Sequence, residues 1–419
     1  MKLKIIFLLI TMSLVIISCN VVEPESSTEY NDYASTQLSL TKAESIALQV
    51  SKKNDYNISQ SEAIKKIIDF SKTSKLNNDT LINIISCSLY KTEEFAYYEC
   101  IFKTKLGQGY SIVSNDERIP EILCYVERGS LLDTLYNQGL KLFFRQMRSY
   151  IKQETSKKYD IQELCSSAAL KNSLRYPKTK NIPPFDPNVW SYSHTVYDLD
   201  VVVDYSRYVP VNWDQGSPFN LLLGGDAGCS TVATAQVMAY HMKDFSPNIF
   251  SSDWLSMIQN ENHNKIPVLF RDIQNVLGSS ASASEICSFL NNNGYSAGAV
   301  ASYAFDDLTD AIYYGPTVIT GKKDLFIGHS WVADAIYKSI YSSYDVYTLE
   351  YNGEVLEHYV LYNTLLSEKV HYNWGYWGIS NGWFASGVFD PDEALSYDGW
   401  YGSGEPSYDY SVKFISYIL

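Results

Sequence analysis

The sequence predicts an α+β protein of more than one unit. Three observations carry this. The chain has 419 residues, too many for one ordinary domain. Its composition, 46% hydrophobic and 19% charged, allows a sizeable packed core. The pattern also changes along the chain. The first half runs from helix-period segments into strand-like runs, and the second is rich in aromatics and short strands, with helices between them.

The N-terminus reads as an address. MKLKIIFLLITMSLVIISCN has Lys2 and Lys4, an apolar stretch from Ile5 to Ile17, and then Ser18-Cys19. That stretch is short for a membrane span. Its ending resembles a bacterial lipobox, whose cysteine, here Cys19, becomes the lipidated first residue; a plain secretory signal cleaved nearby is the alternative. Both carry the mature protein out of the cytoplasm, to a lipid-anchored place in the cell envelope or, after processing, to the extracellular space. A single lipid group tethers a protein to a membrane surface without making it span. Residues 20–37 are polar and lack periodicity, as a solvated tether would.

From residue 38, LTKAESIALQVSKK and ISQSEAIKKIIDFSKT each place apolar residues at helical spacing behind a Ser or Thr start. Four strand-like runs follow: TLINIISCSLY, FAYYECIFKT, GYSIVSND and PEILCYVERGS. The polar break at residues 115–118 makes the last two an antiparallel pair. A longer helix is expected near residues 131–155, with Leu132, Leu135, Leu140, Phe143 and Met147 among its apolar positions. The stretch Arg175 to Pro187 then reads as a linker. Further helices are expected around 229–242 and 267–293. Apart from Cys19, Cys229 and Cys287, the cysteines are Cys87, Cys100, Cys124 and Cys165, which could form two disulfides in three connectivities. No CxxC or other metal spacing occurs, and neither cofactor nor metal is expected.

The net charge of −14 argues against nucleic acid as a partner, since phosphate binding needs a basic footprint. The charge is uneven: residues 20–185 hold 22 basic and 20 acidic side chains, whereas residues 186–419 hold 9 and 27. A near-neutral segment thus precedes a strongly acidic one, and field complementarity could help hold the two together.

The chemistry centres on GGDAGCSTVATAQVMAYH, residues 224–241. Gly228 suits a tight turn into a helix. Val232, Ala235, Ala239 and Met242 form one stripe by which that helix can be buried. Cys229 then lies in the first turn, where free N–H groups and the dipole favour an anion, so its thiol pKa is expected to fall. Taken alone, a small buried cysteine is the commoner case. Gln215 lies 14 residues upstream, and its side-chain N–H beside the Cys229 backbone N–H could form an oxyanion hole. Of the six histidines, His329 alone opens a strand-like run behind a glycine, and the other five show no paired motif. Asn373-Trp374, among glycines, offers a polar group and a shielding ring for a histidine.

The order Gln, Cys, His, Asn-Trp is that of papain-like cysteine proteases, and the wording resembles the streptopain family of bacterial secreted cysteine proteases. Four motifs carry the resemblance, over most of residues 205–390. They are Trp213, Gln215, Pro218, Phe219 and Asn220; Gly228, Cys229, Gln236, Val237 and Met238; Gly328, His329, Trp331, Val332 and Asp334; and Asn373, Trp374, Gly375, Gly378, Ser380, Asn381 and Gly382. The chain departs from the family after Cys229, after Asp334, and at Tyr376-Trp377, where the family has Trp-Gly. The last departure puts the ring wall around the histidine in question.

The resemblance implies a papain-like two-lobed catalytic domain, a helical lobe plus an antiparallel sheet lobe, over residues 186–419. An α+β inhibitory prodomain with its linker is implied over residues 38–185, because GYSIVSNDERIPEILCYVERGSL resembles the family's prodomain strands. The implied activity is that of a cysteine endopeptidase made as a zymogen. Cys229 is its nucleophile, His329 its acid and base, Gln215 its oxyanion donor, and Trp374 or Asn373 orients His329. Protein or peptide substrates and its own prodomain are the implied partners. A surface binding protein on the same fold, and an amidase or transglutaminase acting on cell-wall peptides, are the rival readings. Asp334 reads as a core or strand-end carboxylate, Cys287 as a packed helical cysteine, and SYDGWYGSGEPSYDYS as a mobile loop near the site.

Overall fold

The computed structural model describes residues 57–73, 81–92, 95–116, 119, 122–173, 191–322, 328–351, 354–389 and 411–419. The proposed signal segment, the tether, the first expected helix at residues 40–53, the linker at 175–187 and most of the tail loop lie outside them. What is described is mixed α and β, with seven α-helices and one large sheet.

Helix α1 (Gln60–Thr73) starts where a reciprocal cap sets it: Glu62 N donates to Ser59 Oγ at 3.2 Å and Ser59 N to Glu62 Oε2 at 2.6 Å. It packs on an antiparallel meander of β1 (Asn83–Lys91), β2 (Ala96–Thr104), β3 (Gly107–Ser114) and β4 (Ile122–Val126). The β3–β4 pair is the one expected. A Cys87–Cys100 disulfide joins register partners on β1 and β2. Cys124 remains a free thiol in the core, so two disulfides among these four cysteines do not form.

The helix expected over 131–155 divides. Leu131–Leu135 is a 3₁₀ turn, with Leu132 and Leu135 70% and 66% exposed. Ser130 and Asp133 cap the start of that turn, and Tyr136 N closes its end on the Asp133 carbonyl at 3.0 Å. The α-helix proper, α2 (Gln138–Ser173), begins behind Asn137, whose Oδ1 accepts from Leu140 N at 2.9 Å. Leu140, Phe143 and Met147 are buried as expected.

Strand β5 (Ser191–Ser206) follows, then α3 (Cys229–His241), α4 (Trp254–Gln259), α5 (Lys265–Leu277) and α6 (Ala283–Asn292). The helical stretch expected over 267–293 is therefore two helices. Gly278 at φ 70° ends the first, and Ser282 with Glu285 caps the second. Beyond them come β6 (Val300–Ser302), α7 (Phe305–Tyr314), β7 (Thr317–Lys322), β8 (Gly328–Tyr351), β9 (Glu354–Asn373), β10 (Gly382–Ala385) and β11 (Ser411–Ile415).

The sheet order is β1-β2-β3-β4-β10-β9-β8-β7-β11-β6, with β5 paired to β8. The N-terminal meander thus continues into the C-terminal sheet through one antiparallel seam, in which Trp383 on β10 faces Tyr125 on β4. Apolar packing crosses the same seam. Phe143 of α2 packs on Phe384 at 4.8 Å between ring centroids, and Phe70 of α1 on Tyr337 at 5.4 Å. Polar contacts join it as well: Ser380 Oγ donates to Asp133 Oδ2 at 2.7 Å, and Ser380 N to the Arg128 carbonyl at 2.8 Å. A separate core lies among α3 to α6, centred on Trp213, Trp254 and Phe270.

Candidate active site

Cys229 begins α3 at the boundary between the helical core and the sheet. Gly228 before it sits at φ 81°, and a Cβ there would lie 2.2 Å from the Ser279 carbonyl oxygen. Glycine is required there on two counts, the positive φ of the tight turn into α3 and the close meeting of two backbones. Ser230 to Ala239 are all buried, so α3 is enclosed on every side and not along a single stripe.

The thiol environment corrects a second expectation. Burial pushes the Cys229 thiol pKa up, against opposing hydrogen bonds from the Ser330 backbone and hydroxyl and from the backbone N–H groups of Ser230 and Cys229 itself. The donors expected at a helix start are there, but desolvation outweighs them.

His329 stands on β8 opposite Gly321 of β7, and it is 5% exposed. Burial pushes its pKa down to about 4, with the Trp374 carbonyl opposing. Its Nε2 has no hydrogen-bond partner. Aromatic rings enclose it: Trp331 stacks at 6.0 Å and Tyr376 lies at 5.8 Å, tilted by 31°. Tyr376 therefore closes the wall that the departure from Trp-Gly put in question. Trp377, at φ 53°, turns away to pack on Phe219 at 4.8 Å.

Of the two residues expected to orient His329, Trp374 reaches it through its backbone carbonyl. The Asn373 side chain is engaged elsewhere. Its Oδ1 accepts from Gln236 Nε2 and from Gly375 N, each at 3.1 Å, and its Nδ2 donates to the Val211 carbonyl at 3.2 Å. Gln236 also donates to the Trp213 carbonyl at 3.3 Å. This buried amide thus ties α3, the loop at Trp213 and the end of β9 at Asn373 together. The sequence marked Gln236 only as a motif match, though a glutamine inside ATAQVMA was a signal that it has buried partners.

Gln215 lies near the Tyr376 hydroxyl, and its side chain opposes the burial that pushes that phenol's pKa up. The Gln138 backbone acts on that pKa in the same sense, and Cys229 in the opposite one. The first turn of α2 thus enters the site. Gly139 is pressed so close that a Cβ on it would sit 2.4 Å from the Trp374 indole and 2.7 Å from His329 Cδ2. Nothing in the sequence signals this contact, because its partners are far apart in the chain. A cavity of about 490 Å³ remains beside it, lined by Gln138, Arg145, Gly328 and His329 among others.

Two further groups stand apart from the site. Asp334, 1% exposed, accepts from Val209 N at 3.1 Å and meets His371 Nδ1 at 2.5 Å, so it is the core carboxylate expected. The same contact corrects the reading that only His329 had a paired setting. Burial alone would pull the His371 pKa down, but the charge and hydrogen bond of Asp334 outweigh it and the pKa is raised. Cys287 is packed on α6, with Sγ 3.0 Å from the Gly298 carbonyl oxygen.

Residues 213–384 match the Peptidase C10 family, and residues 55–151 match the Spi protease inhibitor family. These matches support a peptidase, of cysteine type by its family, preceded by an inhibitor-like region. The peptidase region is thus similar to the streptopain family, and an inhibitor-like region precedes it in the chain. No curated protein and no solved structure matches the chain significantly.

Proposed function

We propose that the protein is an exported cysteine endopeptidase, held inactive by its own N-terminal domain until that domain is removed. One observation carries the reading. The Tyr376 ring lies 5.8 Å from that of His329, and Gln215 and Cys229 are near enough for both to bear on the pKa of its hydroxyl, so three sequence-distant groups converge around one side chain. The separate helical core and the sheet on either side of Cys229 support the two-lobed papain-like arrangement.

In the active form, Cys229 as thiolate attacks the peptide carbonyl carbon. The oxyanion is received by the Gln215 amide and the Cys229 backbone N–H. His329 protonates the leaving amine and then takes a proton from the water that hydrolyses the thioester. Its Nδ1 side is held by the Trp374 carbonyl, while Asn373 fixes the loop through Gln236. In the full-length chain the thiol is pushed up and the imidazole down, both by burial, so both are held neutral. Removal of α2 rehydrates them and lets the ion pair form. Cys19 would carry the lipid anchor, and cleavage would fall in the linker between residues 165 and 190.

The test is hydrolysis of casein by the activated enzyme. Cys229→Ala and His329→Ala are each expected to lose roughly four to six orders of magnitude in kcat. Gln215→Ala is expected to raise the barrier by about 2.7–4 kcal/mol. Full activity in either of the first two variants refutes the dyad.

A further inference from the structure

The two faces of β8 are put to different uses. Side chains alternate along a strand, so Val332 packs with α3 in the helical core, while Trp331 and Ala333 turn to the opposite face, toward α2. His329 precedes Trp331 by two residues and stacks on it at 6.0 Å, so it shares the face turned away from α3. Strand β7 repeats the division: Val318 joins the helical core and Ile319 the other one. Gly321 follows Ile319 by two residues and stands opposite His329 in the register, so it lies on the His329 face as well.

Gly321 has no side chain, and the space one would fill is taken. A Cβ there would lie 3.0 Å from Leu142 Cδ2, and 3.0 and 3.1 Å from Trp331 Cη2 and Cζ3. Its backbone is that of a paired strand with no positive φ, so packing and not conformation calls for glycine. Leu142, 9% exposed, comes from α2. It follows Gly139 by three residues and so shares one face of that helix with it. Gly139 lies on His329 and Trp374, and Leu142 lies on Gly321. A single turn of the N-terminal unit thus covers the histidine and fills the notch next to it. The cavity of about 490 Å³ continues from there, lined by Leu142, Gly321, Gly328 and His329 among others.

Removal of that unit takes Leu142 away. What it leaves is an apolar notch, Gly321 against the Trp331 ring, beside the group that protonates the leaving amine. Cys229 starts α3, on the other face of the strands. The half of the substrate that departs with that amine is therefore the half that passes the notch. We propose that the notch is a specificity pocket of the activated enzyme. It takes a branched aliphatic side chain on the C-terminal side of the scissile bond, in the place Leu142 holds in the full-length chain, and Gly321 keeps it open. The proposal rests on the peptidase reading and adds a preference to it.

The test is kcat/KM of the activated enzyme on peptides that carry Leu or Ala at each position after the scissile bond in turn. At one position Leu should be preferred to Ala by about 10- to 50-fold, the scale of burying the extra carbons of leucine. Gly321→Ala should reduce that ratio to about 3-fold or less and leave the ratios at the other positions. In the full-length chain the added methyl meets Leu142, so this variant is produced together with Leu142→Ala, which vacates the space. Leu142→Ala alone is the control and should give the wild-type ratio once the N-terminal unit is gone. A wild-type ratio below about 3-fold at every position, or a preference that survives Gly321→Ala, overturns the proposal and leaves the peptidase reading standing. A wild-type enzyme that cleaves none of the peptides overturns that reading itself, and the pocket with it.

Discussion

At the scale of single residues, the site is governed by approaches too close for any other side chain. Gly139 is the clearest case, because its absent Cβ is what lets α2 lie on His329 and Trp374. Helix propensity alone favours alanine there by about 1 kcal/mol. The overlap at 2.4 to 2.7 Å opposes it, and forcing an atom into a packed contact costs about 1–3 kcal/mol. The clash acts only when the segment is seated, whereas the propensity gain acts whenever the helix is formed. Gly139→Ala is therefore expected to open the full-length chain, so that iodoacetamide labels Cys229 about 10-fold faster, one decade per 1.4 kcal/mol. Labelling at the wild-type rate would mean that the first turn of α2 does not control access. The choice of Cys229, His329 and Gln215 as candidates was legible from motif and spacing. The protonation of the first two was not, because sequence reveals a helix start and its donors but not the desolvation that reverses their effect.

At the scale of elements, the strands of the N-terminal meander were readable because alternation and turn residues are local. The 3₁₀ turn at Leu131–Leu135 was misread as helix because its leucines keep helical spacing while standing exposed. The pairing of β4 with β10 lies beyond any local pattern, since it joins residues more than 250 apart. Phe70 is the main apolar link across that seam. It meets Tyr125 at 5.4 Å on its own side, and Tyr337 at 5.4 Å and Trp383 at 6.4 Å on the other, with Lys369 Nζ 5.3 Å above its ring. Phe70→Ala should lower the stability of full-length Cys229→Ala by about 3–5 kcal/mol in urea unfolding, the range for deleting a buried phenylalanine. A loss under about 1 kcal/mol would mean that strand pairing alone holds the seam.

At the scale of the whole molecule, the charge asymmetry suggested that fields hold the two halves together. The described seam is instead made of strand pairing, aromatic packing and the Ser380 bonds to Asp133 and the Arg128 carbonyl. Its pH response should therefore come from buried histidines, and two of them act in opposite windows. His329 has its folded pKa lowered from 6.5 to about 4. Opening lets it bind a proton that the closed form refuses, so its contribution is present above about 6.5 and is lost as pH falls toward 4. The gap is worth on the order of 3 kcal/mol. His241, also lowered to about 4, acts in the same sense on global unfolding. His371 has its folded pKa raised by Asp334, with Glu127 of the N-terminal unit adding to the effect. Its contribution is full below about 6.5 and is lost as pH rises through the raised value. The stability of full-length Cys229→Ala should thus peak near pH 6.5 and fall on both sides. In urea unfolding from pH 4.5 to 8.5, His329→Gln should make the acid limb shallower, keeping the part that belongs to His241, and leave the alkaline one. His371→Gln should flatten the alkaline limb and leave the acid one. Identical profiles for the two variants would overturn the assignment, whereas separate effects on the two limbs would place the acid response at His329 and the alkaline one at His371.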